Sequence, residues 1–303
     1  MMLPAENIGS FSTTVQKLWA MMNPCVLCPR NCRVFRSKGE TGFCGIADMP
    51  VVSSQGPHFG EESVLVGAGG SGTIFFAGCN LGCVFCQNYD ISHFRHGQPI
   101  TISELADFML DLQSYGCSNI NFVTPTHIAP AIAAGIEIVR KPASRRSGWK
   151  GLYLPTVYNS GGYDSVKTLK LLDGYMDIYM PDMKFSDSEA AKEFANAADY
   201  PEISFAAVRE MHRQVGDLQI EKGLAVRGLL VRHLVLPNKV AGSFKVIDFL
   251  AEQISPNTAI NVMDQYRPCF KADEHLRINR RPTADEVEEV RQYAIQKGLN
   301  VLA

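Results

Sequence analysis

The chain has 303 residues, 46% of them hydrophobic and 20% charged, with a formal net charge of -2. This is the balance of a globular protein of one or two domains, and it excludes both a strongly basic nucleic-acid binder and a disordered, highly charged chain. No apolar run approaches the ~20 residues that a membrane helix needs, and "MMLPAENIGSFSTTVQ" has neither the basic start nor the apolar core of a secretory signal, so a cytoplasmic location without a membrane partner is expected.

Of the nine cysteines, four lie between positions 25 and 44, three between 79 and 86, and only Cys117 and Cys269 stand apart. In a reducing compartment such clustering points to metal or cluster ligation before disulfides. In chain order the first set is "CVLCPRNC" followed by "GFCG", which gives Cys25, Cys28, Cys32 and Cys44. Four thiolates suit a closed zinc site, and an auxiliary iron–sulfur cluster is the competitor. The spacing is not that of the bacterial ferredoxin run, which tilts the reading to zinc, although a ligand set alone cannot separate the metals. "PHFGEE", Pro57 to Glu62, reads as a solvated turn ahead of the first strand.

From residue 73 the chain alternates short apolar runs with helical patterns. The runs are "TIFFA" (73–77), "NINFV" (119–123), "LYLPTV" (152–157), "MDIYM" (176–180), "GLLVRHLVL" (228–236) and "TAINVM" (258–263), short and rich in β-branched or aromatic residues as buried parallel strands are. Thr101 with Glu104, Ser186 with Glu189 and Thr283 with Glu286 form capping-box patterns at three helix starts, and Gly298 ends the last helix. Such a series predicts a parallel sheet with right-handed crossovers. Six units fall short of the eight of a full barrel, so the expected fold is α/β, a partial (β/α)6 TIM-type barrel over residues 71–303 with a cysteine-rich N-terminal extension over residues 1–70.

In a parallel barrel the active site gathers at the C-terminal ends of the strands. The first end carries Cys79, Cys83 and Cys86; the second "TPTH" (124–127); the third "YNSGGYD" (158–164). The fourth carries Asp182 and Lys184, the fifth Asn238 and Lys239 with Arg232 inside the strand, and the sixth "DQYRP" (264–268). One polar loop means little, but six on one rim with a cysteine triplet mark a binding site. Cys117 and the isolated Cys269 read as small packed residues, although Cys269 follows the sixth strand on the rim. The basic run "RKPASRRSGWK" (140–150) falls on the opposite face and reads as a solvated loop, so no nucleic-acid partner is expected.

A cubane 4Fe–4S cluster normally takes one thiolate per iron. Three thiolates leave one iron open to a small molecule carrying an amine and a carboxylate. A catalytic zinc site also keeps an open position, but usually includes His or a carboxylate, and no histidine lies within this loop. Cys-x-x-x-Cys-x-x-Cys, with Phe85 before its last cysteine and set in "GTIFFAGCNLGCVFCQN", resembles the signature of radical S-adenosylmethionine enzymes, and within them the pyruvate formate-lyase activating enzymes and their uncharacterised relatives, over residues 72–300. The resemblance implies that S-adenosylmethionine binds the open iron and is cleaved to a 5′-deoxyadenosyl radical that takes a hydrogen atom from a substrate. It implies Phe85 near the adenine, Thr124 and Thr126 where the family has a Gly-Gly-Glu stretch, and Asp182 and Lys184 at the methionyl end; topology adds Asn159, Ser160, Arg232, Gln265 and Tyr266. It also implies a one-electron donor such as flavodoxin or ferredoxin, and a glycyl-radical protein as substrate. "GAGGSG" (67–72), where activating enzymes have "DGPG", and the missing Gly-Gly-Glu depart from that last implication. Two rivals are a radical enzyme acting on a small molecule or another protein, and a non-catalytic iron–sulfur or zinc electron-transfer protein closed by Cys269.

Overall fold

The computed structural model describes residues 5–140 and 151–302; of the basic run, residues 141–150 lie outside them. Its strands are β1 (Val51–His58), β2 (Ser71–Phe76), β3 (Gln98–Pro99), β4 (Ile120–Val123), β5 (Thr156–Ser160), β6 (Ile178–Pro181), β7 (Gln219–Glu221), β8 (Leu224–Leu234), β9 (Ala259–Met263) and β10 (Asn300–Val301). They form one ten-stranded sheet in the order β10-β9-β8-β6-β5-β4-β2-β1-β3, with β7 paired to β8 off this path. From β2 to β10 the path is parallel, and β1 closes one side antiparallel to β2. The parallel strands from β2 to β10 thus build the partial barrel, and β1 adds to it from the N-terminal side.

The faces of the strands explain the fold. Ile74, Phe76, Ile120 and Phe122 are buried with Leu105, Met109 and Leu112 of the helix Ile102–Ser114, which covers the outer face. The opposite set, Val157, Ile178, Met180, Leu230 and Ala259, surrounds Leu65 on the inside. The short helix Ser63–Val66 therefore plugs the barrel from below.

Two sequence expectations need correction here. The third strand is Thr156–Ser160 and not 152–157, because Asp177 and Tyr175 take the N–H and hydroxyl of Thr156 and start the ladder there. The helix expected to start at Ser186 is Ser188–Ala195, capped instead by Asp187, whose carboxylate accepts from the Ala190 N–H at 2.8 Å, while the Ser186 hydroxyl donates to the Gly242 carbonyl. Thr101 and Thr283 cap as expected, with both halves of each capping box formed. Cys117 is buried in the main core.

Two buried histidines brace the barrel. His127 meets the Ala77 carbonyl at 2.9 Å, and His233 lies between the Met183 carbonyl at 2.6 Å and the Ser243 hydroxyl at 2.8 Å. Burial, then the Arg36 charge, pushes His127 down to about 3, and burial pushes His233 down to about 4. Both are thus neutral in the folded chain and titrate near 6.5 when unfolded. Their contribution is present above pH 6.5 and is lost as pH falls from there toward about 4 and then about 3. Thermal melts between pH 7 and pH 4 should show a falling midpoint, and a His233→Gln variant should show a shallower fall.

Candidate functional site

The cysteine loop leaves β2 through Ala77 and Gly78. Gly78 has φ +79, and a Cβ there would stand 2.6 Å from the Cys44 carbonyl oxygen, so only glycine fits. Hydrogen bonds then fix the thiols: the Leu81 N–H donates to Cys79 Sγ at 3.3 Å, the Ser92 hydroxyl donates to Cys86 Sγ at 3.2 Å, and His93 meets the Cys83 carbonyl at 3.0 Å. Gly78→Ala combines a left-handed φ with a clash against backbone, and should cost about 2–4 kcal/mol of stability in denaturant titrations.

One cleft of about 1160 Å³, counting its open mouth, is lined by Cys79, Cys83 and Cys86 on one wall. Its other walls carry Thr124, Asn159, Ser160, Asp182, Lys184, Arg232 and Gln265, from β4, β5, β6, β8 and β9 or just after them. Phe85 lines it as well, held edge-on by Phe185 at 6.1 Å and Tyr266 at 5.8 Å. Thr124 is a β-branched residue at φ +61, a strained conformation held by its N–H bond to the Asn159 carbonyl at 2.9 Å.

The charged centre is a half-buried triad. Asp182 Oδ1 accepts from Arg232 Nε at 2.8 Å, Asp182 Oδ2 accepts from Lys184 Nζ at 2.5 Å, and Arg232 Nη2 donates to Asn159 Oδ1 at 2.7 Å. Burial alone would push the Asp182 carboxyl up, but Arg232 and Lys184 together hold it below its ordinary value. Burial likewise opposes the Lys184 ammonium, and Asp182 keeps it charged. Asp182 is therefore ionised at neutral pH.

Several expected residues lie elsewhere. Thr126 is buried behind the cleft, where its hydroxyl donates to Asp164 Oδ1 at 2.6 Å. The Ser160 hydroxyl, although Ser160 lines the cleft, is spent on Asp164 Oδ2 at 2.6 Å. Asp164 also accepts from the Tyr158 hydroxyl at 3.0 Å, and burial raises its carboxyl pKa. This cluster positions the β4 and β5 ends. Tyr266 is fully buried, its hydroxyl donating to the Ile278 carbonyl at 2.7 Å. Lys239 pairs with Glu289, and Asn238 donates through Nδ2 to the Arg277 carbonyl, so the fifth loop faces away. Cys269 is half-buried and is not among the residues lining the cleft.

The stretch "PHFGEE" ends β1 at His58 and exposes Phe59, as a solvated turn does, but its two glutamates face into the barrel floor. Glu62 accepts from Asn261 Nδ2 at 2.9 Å, and Glu61 stands 3.6 Å from Arg232 Nη1 and 3.2 Å from His58. Burial, only partly offset by Arg232, raises the Glu61 carboxyl pKa. Glu62 Oε2 and Asn121 Oδ1 are buried in the floor without a hydrogen-bond partner. Nothing local in the sequence marks this burial, because the partners lie on β8 and β9.

The cysteine arrangement fits a cluster better than one ion. A catalytic single-ion site usually adds a histidine or carboxylate to its thiolates, and no histidine lies in this loop, whereas a cubane takes one thiolate per iron. Cys79 and Cys86 already accept hydrogen bonds at sulfur, and Lys184 offsets the thiolate charge at Cys83. Three thiols on the wall and a polar cleft beside them are a donor set that would hold a cluster with one iron left for a ligand.

The comparisons agree. Residues 73–239 match the radical SAM superfamily, and the chain belongs to it. It is 33% identical over 288 residues to an uncharacterised protein of Methanocaldococcus jannaschii, covering 92% of this chain and 76% of that one. A second uncharacterised protein of that organism is 22% identical over 302 residues, covering 91% and 78%. A radical SAM methyltransferase structure from Sphaerobacter thermophilus superposes with a TM-score of 0.51 at 14% identity over 76% of this chain and 64% of that chain, a likeness of fold alone. Family membership brings a 4Fe–4S cluster and S-adenosylmethionine as cofactors. Among the described residues no helix is long and apolar enough to cross a membrane.

Proposed function

We propose that the cleft binds S-adenosylmethionine against a 4Fe–4S cluster held by Cys79, Cys83 and Cys86, and that the enzyme takes a hydrogen atom from a substrate held in the same cleft. The observation that carries this is the single cleft in which three thiols face Asp182, Lys184, Arg232, Asn159 and Gln265. When bound, the cofactor pair supplies radical chemistry; the protein supplies binding, orientation and exclusion of water. The Asp182 carboxylate and the Asn159 and Gln265 side chains offer acceptors for an ammonium, and Lys184 and Arg232 offer charge to a carboxylate, which matches an amino-acid end group. Phe85 gives an apolar wall for an adenine.

The test is anaerobic reconstitution with iron and sulfide, then reduction in the presence of S-adenosylmethionine and assay for 5′-deoxyadenosine. Product is expected; none from a fully loaded, reduced protein overturns the reading. The Asp-Met-Lys at 182–184 favours, as a second reading, an activating enzyme for a glycyl-radical protein, with flavodoxin or ferredoxin as donor. That version predicts a glycyl-radical doublet in electron paramagnetic resonance when the chain acts on such a protein, and its absence rejects the partner but not the chemistry.

A further inference from the structure

The four N-terminal cysteines are folded into one knot. The Cys25 N–H donates to the Val34 carbonyl at 2.8 Å and the Arg33 N–H returns to the Cys25 carbonyl at 2.9 Å, a hairpin that sets Cys25 beside Cys32. Asn31 (φ +45) and Arg33 (φ +58) take left-handed turns on either side of Cys32. Gly42 packs on Cys32 so closely that a Cβ there would lie 2.7 Å from its Sγ, and the next N–H, that of Phe43, donates to Cys32 Sγ at 3.3 Å. That contact brings Cys44 to the same place. Cys25, Cys28 and Cys44 are buried, and Cys32 is half-exposed.

This knot is bolted to the loop of Cys79, Cys83 and Cys86. Arg30, between Cys28 and Cys32, donates to the Asn80 carbonyl at 2.8 Å and the Leu81 carbonyl at 2.9 Å. Its guanidinium stacks 3.9 Å from the Phe43 ring, and Phe43 in turn packs against Gly82. The Cys44 carbonyl touches Gly78, the residue before Cys79. Two thiol sets thus share a backbone contact with no intervening element. What favours an electron-carrying cluster over zinc here is this direct contact with the first thiol set, through Arg30 and the Cys44 carbonyl.

We infer that Cys25, Cys28, Cys32 and Cys44 hold a second 4Fe–4S cluster that exchanges an electron with the first. The inference rests on the radical S-adenosylmethionine reading of the first set. A low-potential one-electron carrier, a reduced flavin or iron–sulfur protein, reduces the second cluster by one electron. That electron passes to the first cluster and the second returns to its oxidised state; no bond forms or breaks in the protein. The half-exposed Cys32 is the edge through which the carrier's electron enters.

The decisive material is the full chain carrying Cys79→Ser, Cys83→Ser and Cys86→Ser together, reconstituted anaerobically. It should keep about four irons and about four sulfides per chain, against about eight of each in the unsubstituted protein. Zinc without sulfide, or no metal in a chain that circular dichroism shows to be folded, overturns the inference. With both clusters reduced by titanium(III) citrate, the unsubstituted protein should give a resonance broadened by spin coupling, which sharpens in the triple variant. Two independent, unbroadened signals would remove the electron exchange. If the second cluster is found and the loaded protein still makes no 5′-deoxyadenosine, it is the function of the first site that fails, so the two outcomes are separable.

Discussion

Cys83→Ser is expected to cut 5′-deoxyadenosine formation by on the order of 10³-fold or more, because the group that carries the chemistry is lost and not merely misplaced. Cys83 is the deepest of the three thiols. Burial raises its pKa far above the ordinary thiol value, with Cys86 and Cys79 adding to the rise and Lys184 opposing it. Empty, it is therefore a neutral thiol at pH 7, and it becomes a thiolate only as iron arrives. Cluster assembly must then release protons, so iron and sulfide incorporation at a fixed time should rise between pH 7 and pH 9. Iron and sulfide analysis checks both statements. Near-normal product formation by Cys83→Ser would show that the ligand assignment is wrong.

Arg232→Met should have the second-largest effect, and on two quantities at once. It strands Asp182 in the interior with Lys184 alone, and it removes the cation that faces Glu61. Breaking a buried ion pair from one side costs about 3–5 kcal/mol, whereas replacing both partners is far milder. The double variant Arg232→Met with Asp182→Asn should thus recover much of the stability, while S-adenosylmethionine affinity stays at least about tenfold weaker, or ~1.4 kcal/mol. The pH dependence follows from the Asp182 carboxyl being held below its ordinary value. That stabilisation is present above the unfolded pKa of about 3.9 and is lost as pH falls through the folded value. Without Arg232 the folded value rises, so acid unfolding should begin at a higher pH. Calorimetry along a pH series, with titration of the cofactor into reconstituted protein, separates stability from binding. An Arg232→Met protein as stable as its parent would deny the triad its structural role.

The parallel architecture was legible because its signal is redundant: five of the six apolar runs match strands and the third overlaps one, two of three capping patterns capped as written, and the cysteine triplet follows the first parallel strand, β2. Which hydroxyl turns into the cleft was not legible. Thr124 and Thr126 are two residues apart and chemically alike, yet Thr124 lines the cleft while Thr126 serves Asp164, a choice made by the left-handed φ at Thr124. The third strand was placed too early because Asn159 and Ser160 look like loop residues, although a barrel strand carries polar groups at its end. Glu61 and Glu62 looked like solvent-facing acids because charged residues usually are. Their burial is decided by Arg232 and Asn261, far beyond the reach of any local pattern. The very short strands β3, β7 and β10 left no periodicity to read.

The hydrogen bond from Asn261 to Glu62 spans 199 residues of chain, which gives the barrel floor a history as well as a geometry. During synthesis at about 5–20 residues per second, roughly 10–40 s separate the emergence of Glu62 from that of its partner. Both cysteine sets are complete on the early side of that interval, while the floor beneath the cleft is still unlocked. For a protein whose thiols must be met by iron and sulfide, the barrel beneath them is locked only once β9 has been made.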